Sequence, residues 1–196
     1  MSYNTREEWL TEAMREMAPW FEEVSFHFPE NVKVSCGWPS KSALAAKKRR
    51  IGEAWASQCS AIKYFELFIS PYLAKPIEVL ATLIHEQVHA AVGLECGHKG
   101  DFKKCAKALG LEGKMTATVP GEELTQRLNA LGKLLGEYPH GSLTSKMTNN
   151  EKKQGTRMLK VVCPDCDYAV RTTAKWLEVG VPVCPCGTEM RAEEKE

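Results

Sequence analysis

Between Pro76 and Gly93 the apolar residues Val79, Leu80, Leu83, Ile84, Val88, Ala91 and Val92 recur so densely that they cover most of the girth of a helix. That pattern predicts a buried helix of roughly four to five turns, with Pro76 suited to its first position and Gly93 to its C-terminal cap. Weaker patterns flank it. Thr5-Arg6-Glu7-Glu8 fits a capping box, and Trp9, Leu10, Ala13 and Met17 follow at helical spacing until Pro19. Val32 to Cys36 alternates as a half-buried strand should, and Tyr64 to Ile69 places Phe65, Leu67 and Ile69 on one face. Ile51 to Ser60 is ambiguous. A second helix is expected from Asp101 as N-cap, with Phe102, Cys105, Ala106 and Leu109 inward and Gly110 ending it. Met115 to Val119 is extended in character, and Leu124, Leu128, Leu131 and Leu135 mark a further helix between Pro120 and Gly136.

Polar residues inside the apolar helix change the picture. His85 and His89 are one turn apart on one face, so two imidazoles can share a metal. Glu86 lies about 100° further round, where a carboxylate can reach a metal-held water without ligating. His-Glu-x-x-His on a helix is the arrangement of a zinc hydrolase, which needs an open coordination position and a base beside it. The plainer reading is a core helix with two satisfied histidines. Buried imidazoles need partners, however, and Gly93 lets the chain turn back so that His98 can approach as a third ligand. Cys96 is a competing ligand, whereas Cys36 and Cys59 have no partner at metal spacing.

The run from Tyr64-Phe65-Glu66-Leu67-Phe68-Ile69-Ser70-Pro71 through His85-Glu86-Gln87-Val88-His89 to Gly97-His98-Lys99-Gly100-Asp101-Phe102 resembles the SprT-like metallopeptidases, relatives of the Spartan proteases that degrade proteins crosslinked to DNA. The resemblance covers most of residues 30 to 140. It implies His85, His89 and His98 as zinc ligands, Glu86 as the catalytic glutamate, and a substrate setting on or near DNA. Lys99-Gly100 stands where His-Gly-Pro is common in relatives. The third histidine comes later than in the metzincin pattern, so that class is not assigned.

Three further residues are candidates around this centre. Asp101 could orient a ligand histidine, and Tyr138 or His140, at a turn, could steady an oxyanion. Lys47, Lys48, Arg49 and Arg50 form a basic stretch with no acid between Gly37 and Arg50, read either as a solvated face or as a phosphate-contacting patch.

From Ser142 the composition turns polar and aperiodic, which predicts a linker over residues 142–156. Beyond it stand Cys163-Pro164-Asp165-Cys166 and Cys184-Pro185-Cys186-Gly187. Four thiolates at this spacing can close a tetrahedral zinc site, and a piece of some 35 residues is too small to fold on apolar burial alone. A redox pair is the competing reading, but no βαβ pattern surrounds it. Lys152, Lys153, Arg157, Lys160, Arg171 and Lys175 lie on or near this segment beside Tyr168 and Trp176. Cations position phosphates and aromatic faces stack unpaired bases, although such mixtures also occur on ribbons that bind only protein.

With 43% hydrophobic residues among 196 the chain can bury a core, and a formal charge of +1 means that any nucleic-acid affinity must come from local patches. No apolar run reaches membrane-spanning length, and the N-terminus lacks the order of a secretory signal. The expectation is a cytoplasmic protein, with nucleoid or DNA association open, in which clustered cysteines hold metal. The expected architecture is α+β: a zincin-like metalloprotease domain over 1–141, the linker, a zinc ribbon over 157–191 and a charged tail over 192–196. The expected function is zinc-dependent endopeptidase, with one catalytic and one structural zinc, a protein substrate, DNA contact through the basic loop and ribbon, and no organic cofactor. The alternative is a non-catalytic nucleic-acid or protein adaptor with two structural metals. Imidazole also suits manganese, cobalt or nickel.

Overall fold

A computed structural model describes residues 3–144 and 158–192 of the chain, which divides into two compact units, 1–145 and 146–196. The architecture is mixed α+β. Most of the polar segment expected as a linker, from residue 145 on, lies outside the described residues, as do Lys152, Lys153, Arg157 and the tail from 193.

The first unit runs α1 (Arg6–Met17), α2 (Pro19–Glu23), β1 (Val32–Cys36), β2 (Gly52–Trp55), β3 (Phe65–Ile69), α3 (Pro76–Val92), α4 (Gly100–Ala108), β4 (Leu111–Lys114), β5 (Ala117–Pro120) and α5 (Glu122–Leu135). Thr5 and Glu8 close the expected capping box at the start of α1, and its apolar stripe Trp9, Leu10, Ala13 and Met17 is fully buried. Each such large side chain contributes about 1.5–3 kcal/mol by leaving water. In α3, Val79, Leu80, Leu83, Ile84 and Val88 are likewise fully buried, and Gly93 at φ 81° turns the chain where few other residues could follow. The leucine stripe of α5 closes the same core.

The sheet has the order β1-β3-β2, with β1 parallel and β2 antiparallel to β3. The ambiguous stretch 51–60 therefore resolves into an edge strand followed by a short 3-10 turn at Ser57–Cys59. Leu67 and Ile69 face the helices, while Glu66 and Phe68 face the other way. The extended segment expected at Met115 to Val119 is half of a hairpin, with Leu111 opposite Pro120 and Lys114 opposite Ala117. Helix α4 starts one residue before the expected cap. Asp101 sits inside its first turn and pairs with Lys104 at 2.8 Å rather than capping the backbone.

Arg6, buried on α1, donates to the carbonyls of Pro139 (3.3 Å) and Gly141 and lies over the ring of Tyr138. Trp9 Nε1 donates to Gly136 at 3.3 Å. The chain after α5 is thereby fastened back onto α1.

The second unit is a three-stranded sheet of order β7-β6-β8, from β6 (Met158–Val162), β7 (Ala169–Thr173) and β8 (Arg191–Ala192), with α6 (Ala174–Val179) between β7 and the second cysteine pair. Ala192, expected in the tail, pairs with Val161. The buried cluster of this unit is Val161, Cys163, Cys184 and Met190. Among the described residues no helix is long and apolar enough to cross a membrane.

Candidate metal centre

Helix α3 projects His85 and His89 from one face, and the turn after it brings His98 to meet them. Gly97 at φ 54° and Gly100 at φ 50° flank His98 in the left-handed region, which lets so short a loop reverse onto its own helix. His98 Nε2 lies 3.3 Å from His85 Nε2 and 3.2 Å from His89 Nε2. One ring N–H can serve only one of these contacts, so hydrogen bonding does not account for the cluster. A tetrahedral zinc with Zn–N distances of about 2.0–2.1 Å has ligand edges of about 3.3 Å. The three nitrogens fit a metal of that size.

Their protonation suits the same role. Burial, and then the charge of His98, lowers His85 to about 4; burial, with His85 and His98, lowers His89 to about 3. His98 is lowered by burial and by Arg50. All three are neutral near pH 7, as ligands must be. His85 Nδ1 lies 2.8 Å from Thr118 Oγ1 on β5, which can accept its N–H and so leave the Nε2 lone pair turned inward. Among the described residues His89 Nδ1 is buried without a hydrogen-bond partner. Phe102 of α4 packs against all three rings, with centroids 5.1, 4.4 and 4.8 Å from His85, His89 and His98. It forms an apolar floor that holds their orientation.

Glu86 is 6% exposed and lines the same cleft. Burial pushes its carboxyl up to about 8, with Arg50 opposing the shift and Glu53 adding to it. A nearby cation would favour the carboxylate. Its seat depends on Gly52 of β2: a methyl group there would meet Glu86 Oε1 at 2.4 Å and Thr82 Cγ2 at 2.7 Å. The cleft, about 790 Å³, is walled on one side by Arg49 to Ala54 and on the other by Thr116 to Pro120. Both walls are outer strands, since β2 is the last strand of its sheet and β5 is one of only two.

Comparison with protein-family models, curated proteins and solved structures finds no match. The geometry has to speak for itself. It brings His85, Glu86, His89 and His98 together and separates the other candidates. Asp101 is exposed and held by Lys104, while Thr118 meets His85, so Asp101 does not orient that ligand. Tyr138 is buried edge-on against Trp9, 5.0 Å between centroids, inside the core; its position after α5 turns it inward under Arg6, away from the cleft lining. His140 is exposed at φ 65° and does not line the cleft either. Cys96 does not join the histidines; its thiol points at the carbonyls of Gly93 (3.7 Å) and Gly97 (3.9 Å). Of the basic stretch, Lys47 and Lys48 are exposed, whereas Arg49 and Arg50 line the cleft. Arg49 stacks on Tyr72 at 3.7 Å and Arg50 pairs with Glu53 at 2.5 Å, an acid from outside the stretch.

Thr118 and Gly52 escaped sequence reading. Thr118 is 33 residues from its histidine and carries no spacing signal. Gly52 had one: a glycine within a short strand marks a close approach.

In the second unit the four cysteines converge, with Sγ separations of 3.6 Å (Cys163 to Cys186), 3.5 Å (Cys166 to Cys184) and 3.8 Å (Cys166 to Cys186). Zn–S bonds of about 2.3 Å give tetrahedral edges of about 3.8 Å. Sulfurs this close without a disulfide fit one shared metal. Hydrogen bonds from the Thr188 backbone and side chain draw the Cys186 thiol down to about 6, toward the ligating form. Lys160 and Arg171 face solvent on β6 and β7; Tyr168 (50% exposed) and Trp176 (58%) stand out, with Lys175 Nζ 5.2 Å from the Trp176 ring.

Proposed function

We propose that the chain is a zinc-dependent endopeptidase of SprT-like type, with a zincin-like first unit and a zinc ribbon. The observation that carries this reading is that His98 Nε2 lies at the edge length of a zinc tetrahedron from the Nε2 atoms of both His85 and His89, beside a buried glutamate in an open cleft. A zinc ion held there supplies Lewis acidity, acidifying water and polarising a carbonyl oxygen.

The protein's own residues supply the rest. Glu86 accepts a proton from the attacking water and returns it to the leaving amine. Its burial keeps competing water away, and Gly52 leaves it room to sit against β2. Thr118 holds His85 in the tautomer that ligates. An extended substrate can add to the outer edge of β2 through main-chain hydrogen bonds, which makes cleavage depend on backbone more than on side chain. Such a site takes unfolded or locally extended protein.

The ribbon's exposed Tyr168 and Trp176 beside Lys175 and Arg171 suit stacking on unpaired bases together with phosphate contact. This supports a tether to DNA, and hence substrates on or crosslinked to DNA. The deciding experiment compares wild type with Glu86→Gln on casein, histone and DNA-bound protein substrates. Wild type cleaves and the variant does not, at equal metal content; equal behaviour on every substrate rejects the enzyme. Removing residues 157–196 should weaken DNA binding and flatten its salt dependence, and unchanged binding rejects the tether.

A further inference from the structure

A second hollow lies on the outer face of the β1-β3-β2 sheet, with a volume of about 300 Å³. Its walls are aromatic: Trp38 (39% exposed), Trp55 (40%) and Phe68. Its acids are Glu53 and Glu66, and among the described residues no lysine or arginine lines it. We propose that this hollow binds an alkylated ammonium, such as a methylated lysine side chain or a choline-like head group.

The walls are fixed in advance. Gly37 donates its N–H to Ile69 at 3.0 Å, and a Cβ on Gly37 would meet Phe68 Cδ1 at 3.1 Å, so the absence of a side chain lets the Gly37-Trp38 backbone cross closely over Phe68. Ser40 then anchors the segment on Glu53 through its backbone N–H and its hydroxyl, both at 2.7 Å. Trp55 Nε1 donates to the same carboxylate at 3.3 Å, which sets the plane of its indole. The Trp55 indole is therefore held half-open to solvent, and the backbone on either side of Trp38, itself 39% exposed, is pinned to the sheet.

The chemistry of the occupant follows from which groups remain unused. Glu53 already accepts from Ser40, Trp55 and Arg50; burial pushes its carboxyl up, but Ser40 and Arg50 outweigh this and keep it ionised. Its charge is offset by Arg50 and little of its acceptor capacity is left, so Glu66 is the carboxylate that remains for a cation. Glu66 makes no hydrogen bond or ion pair among the described residues. Lys33 lies opposite it in register, yet its ammonium sits over the ring of Tyr64, 4.8 Å from the centroid. A primary ammonium brings three N–H donors that each need an acceptor, more than Glu66 and two serine hydroxyls at the rim supply well. An alkylated ammonium brings few or none, spreads its charge over methyl groups, and is drawn to indole faces and a nearby carboxylate. A pocket of a few hundred Å³ accommodates one such group.

This inference uses no metal and stands whether or not the chain hydrolyses peptides. Its test is titration of the full chain with choline and with N-acetyl-trimethyllysine methylamide, followed by tryptophan fluorescence and calorimetry. The uncharged tert-butyl isostere of the lysine compound serves as control. Saturable binding is expected, at least about tenfold tighter for the cation than for the isostere. Glu66→Gln, a solvent-facing isosteric change, should weaken the cation alone, and Trp38→Leu should weaken both ligands. Tighter binding of the peptide-borne cation points to a protein partner, and tighter binding of choline to a free small molecule. Equal affinity for cation and isostere, or an absence of saturable binding in wild type, overturns the proposal. Trp55→Ala is informative only if its melting midpoint is retained; Glu66→Gln keeps the test decisive otherwise.

Discussion

The two candidate metal centres stand in opposite relations to the folds that carry them. The histidines sit on an apolar helix whose surroundings are already a full core: Trp9, Leu10, Leu80, Leu83, Ile84, Phe102 and Leu128 are all buried completely. A cation removed from His85, His89 and His98 would leave that packing in place. In the second unit two of the four buried cluster residues described, Cys163 and Cys184, belong to the candidate metal site itself. A cation held there would substitute for a core, because so short a segment cannot bury enough apolar surface. A site that acts needs a fold able to stand without it, whereas a site that staples does not.

Stripping metal with a chelator should separate these cases most sharply. Amide signals of residues 158–192 should collapse to the range of an unfolded chain while those of 3–144 keep their dispersion. Persistence of the ribbon signals would falsify the comparison. Glu86→Gln comes next in size: kcat is expected to fall by about 10²–10⁴, with metal content per chain unchanged and the ribbon untouched. Gly52→Ala should then lower kcat by up to about 100-fold, because the added methyl displaces the carboxylate of Glu86 by part of an ångström or more. A normal rate for this variant, alongside a normal melting curve, would show that the seat of Glu86 is not tight. Thr118→Val should weaken zinc at the histidine site by about 10–100-fold and leave the cysteine site alone; competition with a zinc indicator reads both affinities in one titration.

The smallest effect concerns thiols outside the two centres. Burial pushes Cys105 up to about 12, so its thiolate is scarce until the pH approaches that value. Iodoacetamide at pH 8 should label exposed Cys59 and spare Cys105, as mass spectrometry would show. Labelling of both would mean that the first unit opens more readily than its packing implies.

Much of this was legible in the chain because the signals are local. The helix of His85 announces itself through seventeen residues of dense apolar pattern that open on a proline and are followed by a glycine. The capping box at Thr5 and the cysteine knuckles are equally short-range. What could not be read depends on contacts distant in sequence. Edge strand β2 has only four residues and no clean alternation, so its place beside Glu86 emerges only in three dimensions. Asp101 is a candidate by sequence both for a helix cap and for steadying a ligand; a lysine one turn along, Lys104, competes for it, and a threonine on a distant hairpin meets His85 instead. Tyr138, in a turn sequence and one of two candidates for steadying an oxyanion, is drawn inward by Trp9 and Arg6 from the opposite end of the unit.

That last contact has a mechanical meaning. Arg6 clasps the carbonyls of Pro139 and Gly141 and Trp9 that of Gly136, so the opening and closing stretches of the first unit are fastened to one another. Damage at either extremity is felt at both: trimming the chain past Arg6 would take two hydrogen bonds from a segment more than a hundred residues downstream and loosen it.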